Sequence, residues 1–142
     1  MRDEAVAVVT ASLSDVEHYV RQVETWPTFL PDLESVRQTS HLRYVLTVRQ
    51  QSRTFEVPIC LSLHPREHEV CWHVLNGPAW NGTIRMRPVD ADQHTRVQME
   101  LTVDPRSFMG HLSEMFGSSH SQAKLALQHL QDAMTGARTA PA

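Results

Sequence analysis

Apolar residues recur along this chain with two periods: every second residue through most of its length, then every third or fourth near the C-terminus. Strands are therefore expected to come first and a long helix last. Glu4 to Thr10, with Val6, Val8 and Val9, predicts a first strand. Ser12 or Ser14 can cap a following helix, with Asp15 or Glu17 three residues on to complete a capping box, and Val16, Tyr19, Val20 and Val23 form its apolar face. That helix should stop at Trp26, because Pro27 disfavours helical backbone at the residue before it. Two short helices are expected between the first strand and the rest of the sheet.

Leu42, Tyr44, Leu46 and Val48 alternate with polar residues, as do Phe55, Val57, Ile59, Leu61 and Leu63 after a turn near Gln51-Ser52. Pairing Val48 with Phe55, Leu46 with Val57 and Tyr44 with Ile59 puts every apolar side chain on one face. A next hairpin turning at Pro65-Arg66 would set Val70, Trp72 and Val74 opposite Leu61, Ile59 and Val57, with Cys60 opposite Cys71 on the outer face. Beyond the turn Asn76-Gly77-Pro78, Trp80, Gly82, Ile84 and Met86 share a face, and Val97, Met99, Leu101 and Val103 share one after the turn at Asp90 to His94.

Steps of three and four from Leu112 through Phe116, Ser119, Ala123, Leu127, Leu130 and Met134 mark one apolar stripe on a helix from Ser107 to Met134. Gly110 and Gly117 in its first half each cost ~1 kcal/mol relative to alanine, so that half is bent or incompletely helical. The fold class is therefore α+β, a curved antiparallel sheet of about seven strands around a long C-terminal helix. One domain over residues 1–135 and a flexible tail over 136–142 are expected.

Composition narrows the function. Thirteen Lys and Arg against 16 Asp and Glu give a net charge of -3 with scattered charges, which argues against a nucleic-acid partner. The N-terminal segment reads as neither a signal peptide nor a membrane span, so a cytoplasmic protein is expected. Cys60 and Cys71 make neither a disulfide framework nor a zinc site, and in a reducing compartment they would stay thiols. His64 and His68 flank a turn, and His111 and His120 lie nine apart, but neither pair is joined by a carboxylate or cysteine at a ligand spacing. No metal or other cofactor is expected, and nucleophile, P-loop and dinucleotide motifs are lacking.

Trp26-Pro27-Thr28-Phe29-Leu30-Pro31 resembles the W/Y-P-x-F-x-P segment of the polyketide cyclase/dehydrase and lipid-transport families, within the START-like, helix-grip superfamily called SRPBCC. Val70-Cys71-Trp72, Gly82 to Pro88 and Thr95 to Leu101 resemble three of its strands, so the resemblance spans nearly the whole chain. Gln22 stands where many relatives carry an aspartate. The resemblance implies a helix-grip fold and three functions: a binding protein for an apolar or aromatic small molecule, a polyketide aromatase/cyclase, or a quinone-binding or ribosome-associated relative. Dedicated aromatase/cyclases usually carry a Trp-x-Ser-x-Arg-like strand, and Glu56 to Leu63 (EVPICLSL) has no arginine.

A sheet curled around a helix leaves a concavity between them, the natural ligand site. Its expected walls are Tyr44, Val57, Ile59, Trp72, Trp80, Ile84, Met99 and Leu101 on strands, Phe29 and Leu30 near the mouth, and Leu112, Met115, Phe116, Ser119 and His120 on the helix. The polar points among them are Tyr44, the indole N–H groups, Ser119 and His120; Tyr44 or His120 would be the proton donor of an enzyme. The expected partner is a neutral small molecule bound by a monomer or homodimer.

Overall fold

The computed structural model describes residues 2–50, 52–77, 79–104 and 121–139. Its strands are β1 (Arg2–Val9), β2 (Leu33–Ser40), β3 (Arg43–Gln50), β4 (Arg53–His64), β5 (Glu69–Val74), β6 (Trp80–Val89) and β7 (His94–Val103), joined in one antiparallel sheet of order β1-β7-β6-β5-β4-β3-β2. The curved sheet is open, with β1 and β2 at its edges. Between them in sequence lie helix α1 (Leu13–Arg21) and a 3₁₀ turn over Val23–Thr28; the chain ends in helix α2 (Gln122–Thr139).

Ser12, not Ser14, caps α1, its hydroxyl accepting from the Asp15 N–H at 3.2 Å. The α-helix ends at Arg21, five residues before Trp26, and Pro27 lies inside the 3₁₀ turn. Three contacts from two side chains hold the early stop: the Thr25 hydroxyl is shared between the carbonyls of Tyr19 and Gln22 at 2.7 Å, and the Trp26 indole Nε1–H donates to the Val20 carbonyl at 2.8 Å. The indole thereby satisfies the Val20 carbonyl, one of those that the last helical turn leaves without an intrahelical donor. Two further contacts fasten α1 to the sheet's turns: Leu13 N–H donates to Asp92 Oδ1 at 2.9 Å, and His68 Nδ1 lies 2.9 Å from Glu17 Oε2.

The β3–β4 register is the expected one, with Val48 opposite Phe55, Leu46 opposite Val57 and Tyr44 opposite Ile59. The β4–β5 register differs by two residues: Leu61 faces Trp72, Ile59 faces Val74 and Leu63 faces Val70. Cys60 is therefore opposite His73 and Cys71 opposite Ser62, so the two thiols are diagonal rather than direct neighbours. The cause lies in the turn. A two-residue hairpin at Pro65-Arg66 would need left-handed backbone at its centre, which the proline ring forbids. Pro65–Glu67 instead forms a 3₁₀ turn, and His68 takes the left-handed conformation (φ 50°) to re-enter the sheet. A shift of two keeps every side chain on its expected face.

Helix α2 starts at Gln122, after a non-helical Ser121; the first half of the expected helix, residues 107–120 with Gly110 and Gly117, lies outside the described residues. Ser121 occupies its cap, with Lys124 N–H donating to Ser121 Oγ at 3.0 Å and Leu125 N–H to the Ser121 carbonyl at 3.1 Å. Asp3 of β1 reinforces this end, one carboxylate oxygen accepting from the Ser121 hydroxyl and the other from the Ala123 N–H at 3.1 Å. A carboxylate there also suits the positive end of the helix dipole. Farther along, the Gln131 amide and Thr10 exchange two bonds, Thr10 N–H to Oε1 at 2.9 Å and Nε2 to Oγ1 at 3.1 Å. Ala123, Leu127, Leu130 and Met134 of the expected stripe are buried, joined by Ala126. The helix continues to Thr139, past Gly136 where the sequence places the start of a tail.

Candidate functional site

The concave face of the sheet collects the apolar side chains of every second residue. Tyr44, Val57, Ile59, Trp72, Trp80, Ile84, Met99 and Leu101 are all buried in one core cluster. Phe29 and Leu30, expected near the mouth, are buried in the same cluster, with the Phe29 ring 6.4 Å from that of Tyr19. Leu112, Met115, Phe116, Ser119 and His120 lie outside the described residues.

Three tryptophans form the centre of this face. The Trp26 and Trp72 ring centroids are 4.9 Å apart, and Trp72 meets Trp80 at 5.8 Å nearly edge to face. Sequence spacing places Trp26 at a corner before the sheet; its contact with Trp72 needs the 3₁₀ turn to fold back and carries no periodic signal. Gly82 makes room for the cluster. It pairs with Trp72 across β5 and β6, and a Cβ on Gly82 would lie 2.1 Å from the Trp72 ring.

The three indole N–H groups have different fates. Trp26 Nε1 donates to the Val20 carbonyl, as above, and Trp72 Nε1 donates to the Trp80 carbonyl at 3.2 Å. Trp80 Nε1 is buried and has no hydrogen-bond partner among the described residues. A buried donor without a partner is rare, because its desolvation is uncompensated. Tyr44 supplies a second polar point. Burial, reinforced by the charge of Glu24, pushes its pKa above the usual phenol range, so the hydroxyl stays protonated and able to donate at neutral pH.

Fixed charge is kept off this face. Among the described residues no charged side chain is buried, and the one buried polar side chain apart from the aromatic residues, Thr95, donates to the Ala11 carbonyl at 2.8 Å. Arg43, Arg49, Arg85, Arg87 and Arg96 are exposed. The Asp3 carboxylate, half-buried at the β1 edge, is engaged by the N-terminus of α2. No helix among the described residues is long and apolar enough to cross a membrane.

Comparison with known proteins places this architecture. Among solved structures it is similar to a protein from Thermus thermophilus (TM-score 0.75, 16% identity, 98% of this chain and 100% of that one). It is similar to the Zhui aromatase/cyclase from Streptomyces sp. R1128 (TM-score 0.73, 14% identity, 99% and 96%) and to a START superfamily protein from Mycobacterium smegmatis (TM-score 0.66, 16% identity, 96% and 95%). At these identities the likeness establishes the fold, a START-like helix grip. No curated protein matches the chain. The family model for polyketide cyclase/dehydrase and lipid transport matches residues 9–128, which take in every strand but most of β1 and the first part of α2, and the chain therefore belongs to that family.

Proposed function

We propose that this protein binds a neutral, largely apolar or aromatic small molecule between the concave face of the sheet and the C-terminal part of the chain, without transforming it. The observation that carries this reading is the buried Trp80 Nε1, which has no partner among the described residues, on a face where none of them buries a charge. A ligand carbonyl or ether oxygen would satisfy that donor, and the protonated Tyr44 hydroxyl would supply a second hydrogen bond. Among the described residues a carboxylate or phosphate would find no buried cation to offset its desolvation.

The family name and the likeness to an aromatase/cyclase support a second reading, closure and dehydration of a reactive polyketide-like chain, with Tyr44 as proton donor. Against it, β4 carries no arginine between Glu56 and Leu63, and no charged group is buried on the concave face among the described residues. The test has two parts. Native mass spectrometry of protein purified from its own host should find a co-purified neutral molecule. A panel of neutral aromatics and quinones should then bind more tightly than anionic fatty acids or nucleotides, and Trp80→Phe should weaken the best neutral binder by about tenfold, the effect of one lost hydrogen bond. Tighter binding of the anions would sink the reading of an uncharged site.

A further inference from the structure

On the opposite, convex face, the strand registers bring together a group of side chains that their linear spacing conceals. His64 ends β4 directly opposite Glu69 of β5, and Cys71 lies two residues along β5 on the same face. One ligand atom from each of His64, Glu69 and Cys71 falls within 4.8 Å of the other two. Cys71 Sγ is 3.1 Å from Glu69 Oε1. The next strand supports both groups from behind. Arg85, opposite Glu69, donates from Nε to Glu69 Oε2 at 2.7 Å, which leaves Oε1 turned toward the thiol. Thr83, opposite Cys71, places its hydroxyl 3.7 Å from Sγ.

We infer that His64, Glu69 and Cys71 form a binding site for a borderline transition-metal ion, zinc by preference, on the outer surface of the sheet. One imidazole nitrogen, one thiolate sulfur and one carboxylate oxygen suit Zn²⁺ in tetrahedral geometry, with the fourth position left to water, whereas calcium and magnesium favour all-oxygen sites. With bonds of about 2.0–2.3 Å, ligand atoms on tetrahedral zinc stand roughly 3.3–3.8 Å apart. Glu69 and Cys71 are already near that separation, and His64, exposed at the end of β4, closes the remaining distance by rotating its side chain. Binding replaces the Cys71 S–H bond by a sulfur–metal bond and releases that proton to solvent, so thiolate and carboxylate together neutralise the dication. Arg85 and Thr83 act as the outer shell, orienting the carboxylate and donating a hydrogen bond to the sulfur. This site shares no residue with the concave face, so it stands or falls independently of the ligand proposed there.

The test is titration of reduced, chelator-treated protein with Co²⁺ as the optical probe. One equivalent should produce a sulfur-to-cobalt charge-transfer band and tetrahedral visible bands, and Zn²⁺ should displace both. Cys71→Ser should abolish the charge-transfer band, and Cys60→Ser, which removes the other thiol, should retain it. His64→Ala should weaken Zn²⁺ binding tenfold or more. Should Cys71→Ser fail to fold, the unaltered protein answers the same question: Zn²⁺ should slow alkylation of Cys71 and leave Cys60 unaffected. Absence of the band, its persistence in Cys71→Ser, its loss in Cys60→Ser, unchanged affinity in His64→Ala, or equal protection of both thiols would each overturn the site.

Discussion

Replacing Trp26 by alanine tests how the 3₁₀ turn is joined to the sheet. The side chain is fully enclosed and packs against Trp72, so its removal deletes roughly 150–250 Å² of buried aromatic surface. Deleting a buried large aromatic costs about 3–5 kcal/mol. The Val20 carbonyl also loses its donor at the end of α1, and an orphaned buried acceptor adds about 1–3 kcal/mol unless water reaches it. We expect Trp26→Ala to fall near 5 kcal/mol, enough to leave a domain of ordinary stability marginal. Trp26→Phe separates the two effects: it keeps most of the ring contact and loses only the N–H, so about 2 kcal/mol is expected. Urea denaturation followed by far-ultraviolet circular dichroism gives both values without relying on tryptophan fluorescence. A loss below ~1 kcal/mol for the alanine variant would refute the packing argument, and a phenylalanine variant as stable as the parent would show that the indole–carbonyl bond contributes nothing.

Gly82→Ala should destabilise by about 3 kcal/mol, the upper end for overpacking, because its Cβ would overlap the Trp72 ring and Trp26 and Trp80 block the ring's retreat; a lowered Tm with an altered near-ultraviolet dichroism spectrum is the expected readout. Asp3→Ala removes both acceptors at the start of α2 and should cost about 1–2 kcal/mol, with amide exchange accelerating first in the opening turn of α2; uniform protection along the helix would refute the cap. Partial desolvation of the exposed Asp32 raises its carboxyl above its ordinary pKa, so folding disfavours the charged form: its contribution is best at low pH and is lost as pH rises from the unfolded value of about 3.9 through the raised folded one. Asp32→Asn, which suits the left-handed backbone there (φ 65°), should therefore raise Tm at pH 7 and leave it unchanged at pH 3; the opposite ordering would refute the assignment.

What the sequence determined by itself was side-chain direction and most of the pairing. Strict alternation in β3 and β4 allows only registers that bury Tyr44, Leu46 and Val48 with Val57 and Ile59, because a slip of one residue would turn every apolar group outward. Alternation cannot distinguish registers that differ by two. The turn at Pro65–His68 decided that choice, and with it whether Cys71 faces Cys60 or Ser62 and whether His64 meets Glu69. The helical stripe was legible from Ala123 to Met134, whereas the start of α2 depends on Asp3, a residue 120 positions away that sequence periodicity does not connect to it. The concave face was likewise legible as a list of apolar residues. That Trp80 alone among three tryptophans has no indole partner among the described residues was not, because a hydrogen bond depends on where a carbonyl lies in space: Val20 reaches Trp26 only once the chain turns after α1, and Trp80 reaches Trp72 only once β5 and β6 pair.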